Sequence, residues 1–275
     1  MASDVDPLAD TVPPRHAIES DEEEDEYNPL AQPSPSKPVD VQLVGNVTAM
    51  PTAGLLIATG NIAKYWARGA NLGEQVAAVM VDKIQVGLLF RPSWTQAVVL
   101  VSEATTRLPL WAMRPYARAV VDALQPENVA LLDEYAVSEY IADARIAYLD
   151  APLRYLTTDA DAPLTSAAHL FAPPNLVRTT SAAFVALRAE RACPAVLLLV
   201  PTPHVAPPAP RALAPSSFAH LEDAWMPALV RTAHAALFGL FGDQRTPPWT
   251  DPAPEKPSAA QARKRPADSE LNMYI

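Results

Sequence analysis

Residues 54–61 read GLLIATGN, and this stretch decides the fold class. A short, continuously apolar run that ends at Gly60 and Asn61 is typical of a strand buried on both faces and followed by a tight turn. The next stretch, IAKYWARGAN, predicts a short helix. Because a strand covered on both faces needs helices on both sides of its sheet, this region predicts an α/β protein.

Further apolar strands alternate with helices along the chain. Residues 96–104 predict another buried strand, and residues 114–125 predict a helix with Pro115 near its first turn. A helix predicted at 180–192 leads directly into the core strand CPAVLLLV at 193–200. We therefore predict a single three-layer α/β/α domain with a mixed, mostly parallel sheet.

Three regions are less regular in sequence. Residues 136–168 predict an irregular or partly helical insertion. Residues 201–216 contain six prolines and predict a surface loop. Residues 217–242 predict the last helix, in which Pro227 produces a kink or a break between two helices.

Charge and proline content divide the 275 residues into three parts. Residues 1–38 carry a net charge of −8 out of −10 and seven of the 30 prolines, whereas residues 243–275 are neutral and carry six prolines. We predict a disordered acidic arm at 1–38, an α/β core at 39–242 and a disordered tail at 243–275. The acidic block at 20–27 is interpreted either as a solvated segment or as a docking arm for a basic surface.

Cysteine content and hydropathy indicate the expected compartment. The only cysteine, Cys193, excludes a disulfide within the chain, which fits a reducing compartment. The acidic N-terminus lacks the apolar region of a signal peptide, and no apolar run approaches ~18 residues. We expect a soluble protein of the cytoplasm, with RKRP at 263–266 as a weak candidate signal for nuclear import.

Catalytic motifs are absent from the sequence. It contains no G-x-G-x-x-G, no G-x-x-x-x-G-K-[ST] and no G-x-S-x-G, and its five histidines are not spaced as metal ligands. Asp133 and Glu134 are adjacent carboxylates at a strand end, but neighbouring strand residues point to opposite faces of a sheet. We predict no enzyme activity, no cofactor and no metal. The nearly neutral core also argues against nucleic acid as a partner.

The last three residues, Met273, Tyr274 and Ile275, are unusual for a Pro-rich, charged tail. Such tails usually lack apolar residues because nothing buries them. A hydrophobic residue, a tyrosine and a final residue with its free carboxylate predict a segment that enters a pocket on another molecule.

Several core stretches and this terminus together carry a family resemblance. LLIATGN at 55–61, PNLV at 174–177 with the AAFVAL helix behind it, and CPAVLLLV at 193–200 resemble the proteasome assembly chaperone 1 family in order and spacing. An acidic N-terminal arm and a hydrophobic–Tyr–X terminus are also features of that family. The sequence departs from the family pattern at Thr179 and Thr180, which follow PNLV.

The resemblance implies a specific function. It implies a heterodimer with proteasome assembly chaperone 2 that supports assembly of the 20S α-ring and caps the outer face of that ring. It also implies that Met273, Tyr274 and Ile275 dock in a pocket between α-subunits. Two alternatives stay open at the level of sequence, namely a hydrolase- or phosphorylase-like enzyme with a polar cleft near Asn61 or Asp133, and a general protein-interaction domain.

Overall fold

The computed structural model describes residues 38–45, 52–103, 105–159, 168–215, 225–242 and 246–252. These residues form nine strands: β1 Val41–Gly45, β2 Gly54–Ala58, β3 Gln75–Val81, β4 Ile84–Phe90, β5 Ala97–Ser102, β6 Asn128–Ala136, β7 Leu153–Thr157, β8 Ala168–Leu170 and β9 Ala195–Thr202. They also form four α-helices: α1 Gly60–Gly69, α2 Leu110–Leu124, α3 Thr180–Glu190 and α4 Pro227–Gly239. A 3-10 turn lies at Tyr148–Asp150. The acidic arm and the terminal tripeptide lie outside the described residues.

All nine strands belong to one sheet in the order β1-β3-β4-β5-β2-β6-β9-β7-β8. The four central strands, β5, β2, β6 and β9, are mutually parallel. The β1-β3-β4 flank joins β5 through antiparallel pairs, and β7 joins β9 antiparallel while pairing parallel with β8. The predicted mixed sheet is confirmed, and its central strands form one parallel unit.

Strand β2 shows why the central strands are apolar throughout. Leu55 and Ile57 face the core cluster formed with α2 and α3, whereas Leu56 and Ala58 face the cluster formed with α1 and α4. Each buried leucine or isoleucine contributes about 2 kcal/mol of transfer free energy. Helices therefore cover both faces of the sheet, which confirms the predicted α/β class and its three layers.

Pro115 occupies a position that differs from the prediction, whereas Pro227 lies at a helix start, as a break at that residue requires. Helix α2 begins at Leu110, so Pro115 lies inside the helix rather than in its first turn. The N–H that would bond to the Trp111 carbonyl is therefore absent. Helix α4 begins at Pro227, which occupies the first turn, where a missing N–H costs least. Residues 217–224 of the predicted last helix lie outside the described residues.

The region from 136 to 168 contains more regular structure than the sequence predicts. Residues Leu153–Thr157 form β7, which pairs with β9, and Ala168–Leu170 form β8 at the edge of the sheet. The preceding residues 137–147 are irregular, as predicted. A five-residue strand in a polar region gives little periodic signal, so its pairing with β9 is set by tertiary context.

Both Pro-rich regions pack against the core. The predicted loop begins only at 203, because Pro201 and Thr202 are the buried end of β9. Arg107 Nη2 donates to the Pro207 carbonyl at 2.6 Å, which holds the loop against the start of α2. Residues 246–252 also contact the helices, so the core extends beyond the predicted boundary at 242.

Within the part of the chain that the structure describes, no helix has both the length and the apolar character required to cross a membrane.

Candidate functional site

The predicted site residues Met273, Tyr274 and Ile275 lie outside the described residues. The described stretch nearest to them in sequence is residues 246–252, which we call the clasp. Residues 253–275, which follow it, are called the tail. The clasp determines where the tail leaves the core, so its contacts bear directly on the predicted docking segment.

The clasp packs against helix α1 through its tryptophan. Trp249 is only 3% exposed, and its ring lies 5.3 Å from the Tyr65 ring. Trp249 Nε1 donates to the Trp66 carbonyl at 2.9 Å, and the Thr250 N–H donates to the Gly69 carbonyl at 3.0 Å. Burying an indole of this size stabilises docking by several kcal/mol before the entropy of ordering the segment is subtracted.

These two bonds also complete the C-terminal end of α1. The last four carbonyls of a helix have no partner within that helix. Trp66 and Gly69 supply two of those carbonyls at the end of α1, and the clasp provides a donor to each. A segment about 180 residues later in sequence therefore caps the helix.

Helix α4 holds the other end of the clasp through a buried histidine. Trp66 Nε1 donates to His234 Nδ1 at 3.2 Å, so Nδ1 is the acceptor and Nε2 carries the proton. Nε2 then donates to the Pro247 carbonyl at 3.0 Å. Burial lowers the pKa of His234, which favours this neutral form.

The acids at the end of β6 are the residues that an enzyme would use. Asp133 is fully buried and lies on the face of the sheet that carries α2 and α3. Its carboxylate accepts hydrogen bonds from the Thr179 hydroxyl and from the Glu134 N–H. Thr179 occupies the position just before α3, so the bond from its hydroxyl ties the start of that helix to Asp133. Burial raises the pKa of Asp133.

The Glu134 side chain bonds to helix α1, on the opposite face of the sheet. Its carboxylate accepts hydrogen bonds from the Ile62 N–H at 3.2 Å and from Asn61 Nδ2 at 3.3 Å, both in the first turn of α1. Asp133 and Glu134 therefore point to opposite faces of the sheet, as predicted. The Glu134 carboxylate is bonded to the N-terminus of α1, whereas the Asp133 carboxylate is bonded to the Thr179 hydroxyl and to the Glu134 N–H in its own strand. The arrangement explains both acids as structural groups.

Replacing Glu134 with glutamine is expected to remove part of the pH dependence of stability. Burial and the Asp133 carboxylate raise the pKa of Glu134 to about 7 from its ordinary value of 4.5. Because the folded chain holds this proton more tightly, the free energy of unfolding should fall as pH rises from 4.5 to 7, by up to about 3 kcal/mol. Urea unfolding at pH 5 and pH 8 should show a smaller decrease for E134Q than for the wild type.

The matched control for that experiment is Glu139→Gln, because Glu139 is exposed. Its pH profile should follow the wild type. Parallel profiles for the wild type and E134Q would contradict the assignment of Glu134 to a buried role.

The remaining residues that could act as metal ligands are not grouped in the described part of the chain. Among the described residues, no three His, Cys, Asp or Glu side chains are grouped to hold a metal ion. His234 is a packing residue, while His169 and His204 are exposed. His16 and His220 lie outside the described residues. Cys193 is half-buried rather than fully buried, with its Sγ 3.3 Å from the Arg191 carbonyl oxygen.

Comparison with known proteins identifies neighbours by structure alone. No protein-family model and no curated protein sequence matches this chain. The crystal structure of Pyrococcus furiosus PbaB, an archaeal proteasome activator, matches with a TM-score of 0.50 and 10% identity over 72% of this chain and 89% of PbaB. This chain therefore shares its fold with PbaB.

Two further neighbours are homologues of proteasome assembly chaperones. Pyrococcus furiosus PbaA, an archaeal homologue of proteasome-assembly chaperone, matches with a TM-score of 0.49 and 11% identity over 74% of this chain and 86% of PbaA. A proteasome-assembly chaperone homologue from Mycobacterium tuberculosis matches with a TM-score of 0.36 and 13% identity over 55% of this chain and 75% of that protein.

Proposed function

We propose that this chain is a proteasome assembly chaperone that docks on the outer face of the 20S α-ring. The fold shared with an archaeal proteasome activator carries this proposal. The C-terminal Met273, Tyr274 and Ile275 support it independently, because they form a hydrophobic–Tyr–X terminus at the end of a Pro-rich tail.

The chemistry of the tripeptide suits a pocket between two protein subunits. The terminal carboxylate is a fixed negative charge that a lysine in such a pocket can pair with. Tyr274 combines a large apolar ring with a hydroxyl at its edge, so it both fills space and forms a hydrogen bond. Met273 adapts to an irregular apolar wall. Ile275 positions the carboxylate.

The proposed partner chain is proteasome assembly chaperone 2, with which this chain forms a heterodimer. Two-point attachment, by the folded core and by the tail, makes tail docking an intramolecular event. The pair caps the α-ring and keeps immature particles from premature association with regulators that use the same pockets. We place this activity in the cytoplasm, with nuclear import through RKRP at 263–266 as an extension.

The geometry at the strand ends argues against the enzyme alternative. The enzyme alternative places a carboxylate in a polar cleft near Asn61 or Asp133, whereas Asp133 is fully buried and bonded to Thr179. Glu134 is bonded to the first turn of α1. Burial raises the pKa of both acids. A structural position is enough to explain this shift, without a catalytic role.

Co-purification tests the proposal against the general interaction domain. The tagged full-length chain, isolated from an extract of the cells that express it, should carry 20S α-subunits and a second α/β chaperone together. A variant that lacks Ile275 should keep the second chaperone and lose most of the α-subunits. Recovery of neither by the wild-type chain would contradict the proposed function.

A further inference from the structure

The contacts of the clasp with α1 and α4 fix the point at which the tail begins. We propose that Trp249 and Gly69 are positioning residues for the C-terminal tripeptide, because they fix the point at which the tail leaves the core. This inference rests on the proposed function, since it concerns the segment that is to dock. The first part of the proposal, that residues 246–252 are attached to the core, is testable without any partner protein.

The clasp is attached at several independent points along its length. Pro247 binds α4 through His234, and Trp249 binds α1 through the Trp66 carbonyl. Beyond the tryptophan, Tyr65 donates its hydroxyl hydrogen to Asp251 Oδ1 at 2.7 Å. Contacts at 247, 249 and 251 therefore fix the chain up to Asp251, two residues before the tail begins.

Gly69 shows that α1 is shaped to receive the clasp. A Cβ atom at this position would lie 2.1 Å from the Thr250 carbonyl oxygen and 2.6 Å from the Trp249 indole, distances that real Cβ atoms do not show. Glycine is unfavourable inside a helix by about 1 kcal/mol relative to alanine. Gly69 ends α1 at a place where only a residue without a side chain leaves room for the clasp.

The attachment sets the length of chain available for docking. With the clasp in place, 23 residues separate the core from the C-terminus, and without it the count from 243 is 33. A flexible linker of 23 residues has an r.m.s. span of about 26 Å, and one of 33 residues has a span of about 32 Å. Because effective concentration falls as roughly the −3/2 power of length, releasing the clasp should weaken tail docking about 2-fold.

The test uses Gly69→Ala in the full-length chain. The added methyl group displaces the clasp, while alanine favours the helix that it extends. Gly239→Ala is the matched control, because Gly239 ends α4 and a Cβ atom there meets nothing within 4 Å. Trp249→Ala is the second variant, since it removes the buried indole without altering the sequence of α1.

Two quantities are measured for each variant. The first is amide hydrogen exchange of a peptide that covers residues 246–252, where G69A and W249A should lose the protection that the wild type and G239A retain. The second is capture of immature 20S particles, which should be about 2-fold weaker for G69A and W249A. Unchanged protection in G69A and W249A would overturn the proposed attachment.

A compensating deletion separates positioning from a purely structural role. Removing residues 253–262 from G69A takes away ten residues with no change in net charge, and it returns the free length to that of the wild type. This double variant should recover wild-type capture although its clasp stays released. Failure to recover, or wild-type capture by G69A, would overturn the positioning role while leaving the proposed function intact. Failure of the proposed function would appear separately, as no effect of removing Ile275.

Discussion

Removing Ile275 is expected to weaken capture of immature 20S particles on the order of 100-fold. The deletion shifts the terminal carboxylate onto Tyr274, so the charge and the ring no longer reach their partners together. The magnitude corresponds to losing one point of a two-point attachment, which is typically a factor of 10² or more. Titration of immobilised α-ring particles with the purified heterodimer measures it.

Tyr274 and an upstream position provide the controls for that titration. Tyr274→Ala should give a loss similar to that of the deletion, whereas Tyr274→Phe should keep most of the binding because it retains the ring. Asp268→Ala lies in the tail but outside the tripeptide, so it should bind as the wild type. Wild-type capture by both the Ile275 deletion and Tyr274→Ala would exclude the tail as an anchor.

Replacing Arg188 with alanine is expected to destabilise the fold by about 4 kcal/mol. Arg188 is 3% exposed, and its guanidinium donates hydrogen bonds to three carbonyls. One is that of Pro126, and Nη2 donates to the other two, those of Glu127 at 2.6 Å and Pro194 at 3.3 Å. These carbonyls precede β6 and β9, so one side chain joins the entries of two central strands. Hydrogen bonds to a charged group contribute about 1.5–3 kcal/mol each, and buried carbonyls left without donors add to the loss.

Arg114→Ala is the matched control for this substitution. Arg114 forms an ion pair with Glu190 at 2.9 Å, but its side chain is 67% exposed. Exposed pairs of this kind contribute less than about 1 kcal/mol. Urea unfolding should therefore separate the two variants clearly. A loss below about 1 kcal/mol for R188A would show that the three carbonyls find other donors.

Much of the central architecture was predictable because local signals and tertiary context agree there. The run at 54–61 is first apolar at every position and then polar. In the structure these residues form a buried strand, a turn with positive φ at Gly60 and the start of α1. The opposite orientation of Asp133 and Glu134 also follows from strand geometry alone. The sequence did not show that Glu134 bonds to the first turn of α1 and Asp133 to the Thr179 hydroxyl, because these contacts depend on where α1 and α3 pack.

The clasp and strands β7 and β8 were missed for a different physical reason. Residues 246–252 contain three prolines and resemble a disordered tail in composition. Trp249 was the available signal, since a large apolar residue in a Pro-rich segment indicates burial, which is the criterion that selected Met273–Ile275. Strand β8 has only three residues, so pairing rather than periodicity defines it.

The central claim concerns the free carboxylate at Ile275, and one titration tests it most directly. Chain that ends with a free carboxylate at Ile275 is compared with chain whose terminus is amidated or extended by a few residues, each paired with its partner chaperone and titrated onto immature 20S particles. The account predicts strong capture by the chain with the free carboxylate and a large loss for both altered forms, with the heterodimer unchanged. Equal capture by all three forms would contradict it.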